Sequence, residues 1–233
     1  MSAAKPLPSR YVLLKAMTAL EAAMSDLSAR TAAGARLSLG ESAGVALSKF
    51  REAYSKPLTS VMYIAGAAMA PSLNKQAQED AAAVEKLVVR LIPRPSPRTI
   101  GIGDVVAFSS PLDAQGQHVM VRRVAALEAH EMVSDDPEEP PFRVPPGHCW
   151  VLADNPAMEP PDVPSDPRLP QTLRTPQHLI PLSSILGRII YRVAASDAHG
   201  PVTNSPAAAA SDAPVVEAEV DVESLTAGMD GGS

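Results

Sequence analysis

The sequence predicts a mainly β domain that follows a helical segment and precedes a disordered acidic tail. Short β-branched runs separated by turn residues fill positions 61–195. Before residue 60, apolar residues recur near helical spacing. After residue 196, Ala, Pro, Ser and Gly surround acidic side chains, a composition typical of a solvated, unfolded chain. We therefore expect three regions, at 1–60, 61–195 and 196–233.

The first region predicts one or two amphipathic helices between Ser9 and about Ser55. Its apolar residues are Val12, Leu13, Met17, Leu20, Met24 and Leu27. Such a segment serves as a cleaved leader, as a helix packed on the domain, or as a surface for a partner or a membrane. The uncharged stretch Ser60–Pro71 is shorter than the roughly 20 residues that cross a bilayer, so we expect no transmembrane helix.

The second region contains five β-branched runs that predict strands. They are Val88–Ile92, Asp104–Phe108, Val119–Leu127, Cys149–Leu152 and Ile185–Val193. The Pro-rich or acidic segments Asp135–Pro141 and Pro156–Pro176 are expected to be loops. In the otherwise disordered tail, one late strand is expected at Val215–Val222.

The composition disfavours several classes of function. A net charge of -6 argues against a nucleic-acid-binding protein. The single cysteine, Cys149, excludes an intramolecular disulfide framework and a thiol cluster for zinc. His148 precedes it on a predicted strand, where neighbouring side chains point to opposite faces, which disfavours a Cys/His catalytic pair. The remaining histidines lack metal-ligand spacing, so no metal or other cofactor is expected.

Short boxes follow one another in a fixed order along the β region. They are Gly66–Leu73, Gly103–Val106, Val121–Glu128, Val144–Asn155, Ser165–Arg168 and Ile185–Arg188. Each box is weak alone, but in this order they resemble the type I signal peptidase and mitochondrial inner membrane peptidase family, in a green-lineage soluble branch. The resemblance implies a coiled β-sheet domain. It also implies a mitochondrial location, peripheral to the inner membrane, with plastid or cytosol as alternatives.

The resemblance implies a catalytic dyad in which a serine hydroxyl attacks and a neutral lysine takes its proton. The equivalent positions here hold Ala68 and Arg122. A methyl group cannot attack a carbonyl, and a guanidinium with a pKa above about 12 cannot accept a proton. We therefore expect a catalytically inactive homologue. The alternative is an active serine endopeptidase that processes presequences of imported proteins, with Ser72 as a relocated nucleophile.

The resemblance also implies a binding groove and its scaffold. Their residues are Met69, Pro71, Gly103, Asp104, Arg123, Asp154, Asn155, Asp166 and Arg168. Without a dyad, the groove still suits an extended peptide added as a strand, or a protein partner in a membrane-bound organellar complex. Asp154 and Asn155 are expected to cap turn amides. Arg122 is expected to pair with Asp166 or Asp154 across the cleft.

Overall fold

A computed structural model describes residues 7–110, 118–133, 141–158 and 178–227 of the chain. The loops predicted at Asp135–Pro141 and Pro156–Pro176 fall almost entirely outside these ranges, and so do Asp166 and Arg168. Within the described ranges, no helix is both long enough and apolar enough to cross a membrane.

The N-terminal region forms two helices, α1 (Ser9–Ala32) and α2 (Leu39–Ser55), which confirms the predicted helical segment. A capping box starts α2: the Ser38 hydroxyl accepts from the Glu41 N–H, and the Glu41 carboxylate accepts from the Ser38 N–H. The two helices pack on each other, and α2 buries none of its own residues. The helical pair is therefore largely exposed.

The rest of the chain is built on antiparallel strands, which confirms the mainly β fold. The strands are β1 (Thr59–Ala65), β2 (Val84–Leu91), β3 (Val105–Ser109), β4 (Val119–Leu127), β5 (Glu131–Met132), β6 (Phe142–Arg143), β7 (His148–Leu152), β8 (Leu179–Pro181), β9 (Ile185–Val193) and β10 (His199–Pro201). Eight of these described strands form one sheet in the order β1-β2-β9-β3-β4-β7-β8, with β10 paired to β9. Among them β1 lies at an edge.

Apolar side chains pack against the sheet in separate clusters. One cluster includes Phe108, Val124 and Ile180, whereas another joins Leu87 and Ile189 to the segment that follows β1. Burial alternates along much of β4, as in a strand with one face on the core, whereas β9 is buried almost throughout, as in a central strand covered on both faces. β4 also carries Arg122 and Arg123 of the candidate site.

The predicted disorder of the tail, and the strand predicted at Val215–Val222, are wrong. Residues Pro206–Glu219 form helix α3 and Val222–Thr226 form the short helix α4. The Ser205 hydroxyl caps α3, and a proline occupies its first turn, where its missing N–H is no cost. Val215 is fully buried among apolar residues of the sheet and α1. Tertiary burial thus overrides the β propensity of the valines.

Candidate functional site

The segment that holds Ala68 is a tight loop anchored by its neighbours. It starts at Gly66, directly after β1, and the peptide bond before Pro71 is cis. Met69 and Leu73 are fully buried against the sheet. Ala68 is only partly buried, so its methyl group lies at the surface of a well-anchored loop.

Asn74 closes this loop from a left-handed backbone conformation, with φ of 50°. Its Nδ2 donates to the carbonyl oxygens of Gly66 at 3.1 Å and Ala83 at 2.9 Å. Its backbone N–H donates to the carboxylate of Glu85, which is buried and also accepts from Arg192 at 3.3 Å. These hydrogen bonds hold the C-terminal end of the loop in place.

Asn155 fixes the same loop from the other side. Its backbone N–H donates to the carbonyl of Ala68 at 3.0 Å, and its Nδ2 donates to the carbonyl of Ala67 at 3.1 Å. Its Oδ1 accepts from the N–H of Ala157 at 3.2 Å, as a turn cap does. The first and fourth sequence boxes therefore meet at Ala68.

Arg123 joins the second and third boxes to the fourth. Its Nε donates to Oδ1 of Asp154 at 2.8 Å and its Nη2 to Oδ2 at 2.7 Å, a bidentate pair. Its Nη1 donates to the carbonyls of Gly103 at 2.7 Å and Thr203 at 2.9 Å. Gly103 presents this carbonyl from a turn with φ of 91°, which favours glycine.

Of the two partners predicted for Arg122, Asp154 is wrong: it pairs with Arg123, and no ion pair joins it to Arg122 among the described residues. Neighbouring residues of a strand project to opposite faces, so only one of the two arginines can face Asp154. Arg122 donates from Nη1 to the carbonyl of Val121 at 2.8 Å. Its other expected partner, Asp166, lies outside the described residues.

Ser72 lies near Asp154, in the Ala68 loop. Partial burial by itself raises the pKa of Asp154, but the hydrogen bonds and the charge of Arg123, together with the nearby Ser72 hydroxyl, lower it by more, so the net pKa lies below its ordinary value. Ser72 is exposed. Its hydroxyl therefore lies beside a carboxylate that stays ionised and is a weak proton acceptor.

No protein-family model matches the chain. A curated relative, the mitochondrial ATP-independent inner membrane protease subunit 2 of Arabidopsis thaliana, is 36% identical over 139 residues, which cover 60% of this chain and 63% of the relative. The chain is similar to this protease subunit. It spans less than two thirds of the relative's length. The relative is mitochondrial, in agreement with the location that the sequence resemblance implied.

The structure brings several of the described candidate residues together. Ala68 is hydrogen-bonded to Asn155, the neighbour of Asp154, and Asp154 pairs with Arg123. Ser72 belongs to the Ala68 loop. Met69 and Pro71 belong to the same loop. The surface formed by the Ala68 loop, Arg123 and Asp154 is called the cleft. Asp104 does not line it, because Asp104 is fully buried below the Gly103 turn.

Asp104 belongs to a buried ionic network on the other side of that turn. Its Oδ2 accepts from Nη1 of Arg188 at 2.8 Å, and its Oδ1 accepts from the N–H of Ser205 at 3.0 Å. Arg188 also donates from Nε to Asp212 at 2.7 Å. Burial by itself lowers the pKa of Arg188, but the two aspartates raise it above its ordinary value. This network ties α3 to the sheet.

The supporting residues of the site were not predicted from the sequence. Asn74 and Glu85 carry no motif signal, since a lone Asn or Glu indicates nothing by itself. Arg188 closes the last box, but no role was assigned to it. The signal that could have found it is a charged residue inside a strongly apolar strand, which is rarely buried unless it is paired.

Proposed function

We propose that this protein is a catalytically inactive member of the signal-peptidase-like proteins that binds an extended peptide and acts in a mitochondrial complex. The observation that carries the proposal is Ala68, which stands at the nucleophile position in a loop held by Met69, Leu73, Asn74 and Asn155. This loop is held in place on both sides, but the side chain at the nucleophile position is a methyl group without a hydroxyl.

The residue at the base position, Arg122, also supports an inactive protein. Arg122 would have to be neutral to take a proton, and a guanidinium remains charged at every pH at which proteins fold. Loss of the nucleophile removes the need for a neutral base, so the two replacements are chemically consistent with each other. Together they support a role in binding.

The edge strand β1 supplies a surface for that binding. It runs directly into the Ala68 loop, and the side chains of Val61 and Tyr63 are about half exposed or more on its outer face. Their neighbours Met62 and Ile64 pack inward against the core. A peptide added along β1 would gain backbone hydrogen bonds from the edge and side-chain contacts from these two residues.

Peptide binding is tested with a fluorescently labelled presequence peptide and the full chain, by fluorescence anisotropy. We expect saturable binding that Tyr63→Ala weakens by about five- to tenfold, because an aromatic contact contributes roughly 1 kcal/mol or more. Tyr54→Ala is the matched control and leaves binding unchanged, since Tyr54 is also partly exposed but belongs to α2 rather than to the edge strand. No binding, or equal losses for the two variants, would contradict the role of β1.

A stripe on α1 supports participation in a complex. Leu13, Met17, Leu20 and Met24 follow one another at intervals of four, three and four residues, and each is more than half exposed. This spacing is the heptad seam by which helices pair. The curated relative is by name a subunit of a protease. Crosslinking from a photoreactive amino acid at position 20 in mitochondrial extract is expected to capture one stable partner, and Leu13→Ser with Met24→Ser is expected to abolish the capture.

The second candidate is an active serine endopeptidase that processes presequences. One observation favours it: Ser72 is exposed in the same loop and lies near Asp154. A carboxylate with a lowered pKa activates a hydroxyl poorly, so we place this candidate second.

A further inference from the structure

A cavity of about 340 Å³ lies away from the cleft, between α1, the segment at residues 92–101 and the first turn of α3. Its walls are apolar side chains, among them Leu14, Met17, Ile92 and Pro97. Its floor is polar and is formed by Arg90 and Arg188 with the aspartates of the buried network. This volume and this mixture of linings are typical of a site for a small organic molecule.

Arg90 is the unusual residue of this cavity. It is only 6% exposed, yet no carboxylate among the described residues lies within ion-pair distance of it. Its guanidinium donates from Nη1 to the carbonyl of Leu91 and from Nη2 to the Thr18 hydroxyl at 3.3 Å. Burial is the main cause that lowers the pKa of Arg90. A guanidinium in such a place gains strongly from a bound anion.

The nearby aspartates do not fill that role. Arg90 and Arg188 are direct partners across β2 and β9, and both aspartates of the network are bonded to Arg188. At longer range the charges of Asp212, Glu219 and Glu21 attract Arg90, whereas that of Arg188 repels it. The charged side chains that line the cavity are three arginines, at 90, 98 and 188, and three carboxylates, at 21, 104 and 212. The local charges therefore nearly balance, which favours a monoanion over a doubly charged phosphate.

We propose that this cavity binds an organic monocarboxylate with a short apolar body, whose carboxylate pairs with Arg90. The planar guanidinium matches a carboxylate, and the apolar walls at Leu14, Met17 and Pro97 cover the carbon chain. The site is separate from the peptide-binding cleft, so it stands or falls independently of the proposed function.

Titration calorimetry of the full chain with hexanoate tests the site, with hexanol as the uncharged probe. We expect hexanoate to bind at one site per chain, and at least about tenfold more tightly than hexanol, as a charge-assisted hydrogen bond predicts. Arg90→Met keeps the apolar stem and removes the charge, so it is expected to abolish the preference for hexanoate. Arg94→Met, at an exposed position outside the cavity, is the matched control and keeps the preference.

A second pair of variants covers the case in which Arg90→Met does not fold. Ala207→Phe places a ring in the mouth of the cavity from an exposed position of α3, whereas Ala210→Phe adds the same ring to the same helix outside the cavity. Hexanoate binding is expected to be lost in the first and kept in the second. Equal binding of hexanoate by both variants, or no saturable binding by the unaltered chain, would overturn the proposal.

Discussion

The two arginine–aspartate networks of the sheet meet at the Gly103–Asp104 turn but differ in their access to water. At the cleft, the side chains of Arg123 and Asp154 are 26% and 12% exposed. Below the turn, Arg188, Asp104 and Asp212 are 4%, 0% and 6% exposed. When the first network is broken, water can replace the lost partner. When the second is broken, the remaining charges stay in the core without partners. The difference indicates that stability depends on the buried network and that cleft residues can change at low cost.

The largest effect is expected from Arg188→Met. The substitution leaves Asp104 and Asp212 buried without their shared cation, and loss of one member of a buried network costs about 3–5 kcal/mol. Urea unfolding followed by circular dichroism measures the change. Arg51→Met, at an exposed position of α2, is the control and is expected to change the free energy of unfolding by less than about 0.5 kcal/mol. A similar change in the free energy of unfolding for Arg188→Met and Arg51→Met would show that the buried network contributes little to stability.

A second large effect is expected at Glu219, which links three segments. Its carboxylate accepts from the Tyr11 hydroxyl at 2.5 Å, from the N–H groups of Leu58 and Thr59 at 2.8 Å, and from the Thr59 hydroxyl at 2.8 Å. Glu219→Gln keeps the shape and removes the charge, so we expect a loss of about 2 kcal/mol at pH 7. An unchanged free energy of unfolding in Glu219→Gln would show that these hydrogen bonds to Glu219 contribute little in solution.

The pH dependence of that loss has a defined sign. Partial burial by itself raises the pKa of Glu219, but the hydrogen bonds lower it more, so the folded-state pKa lies below the ordinary value of 4.5. The contribution of Glu219 is therefore complete above about pH 4.5 and disappears as the pH falls through the folded-state pKa. The difference in unfolding free energy between the wild type and Glu219→Gln should shrink accordingly below pH 4.5. A difference that grows on acidification would contradict the hydrogen-bonded carboxylate.

A smaller effect is expected from Arg123→Met at the cleft. The variant loses the pair with Asp154 and two hydrogen bonds to carbonyls, but water reaches all of these groups. We expect a loss of about 1–2 kcal/mol, below that of Arg188→Met. The same urea experiment measures it, and added salt should reduce the difference because the pair is partly exposed. A loss as large as that of Arg188→Met would show that the cleft also sustains the fold.

The sequence predicted those parts of the fold that depend on local patterns. Strands β4 and β9 match their predicted bounds because β-branched residues and alternation are local properties. Helix α3 was missed because its valines have β propensity and its burial comes from distant residues. The ionic pairs were missed for a similar reason: Arg123 is 31 residues from Asp154, and Arg188 is 24 from Asp212. No spacing rule joins such positions.

Cleavage of a quenched fluorogenic presequence peptide by the purified full chain tests the central claim most directly, with the products read by mass spectrometry. Our account predicts an intact peptide after prolonged incubation, and no difference between the wild type and Ser72→Ala. Cleavage by the wild type that Ser72→Ala abolishes would contradict the account and would assign the chemistry to the hydroxyl beside Asp154.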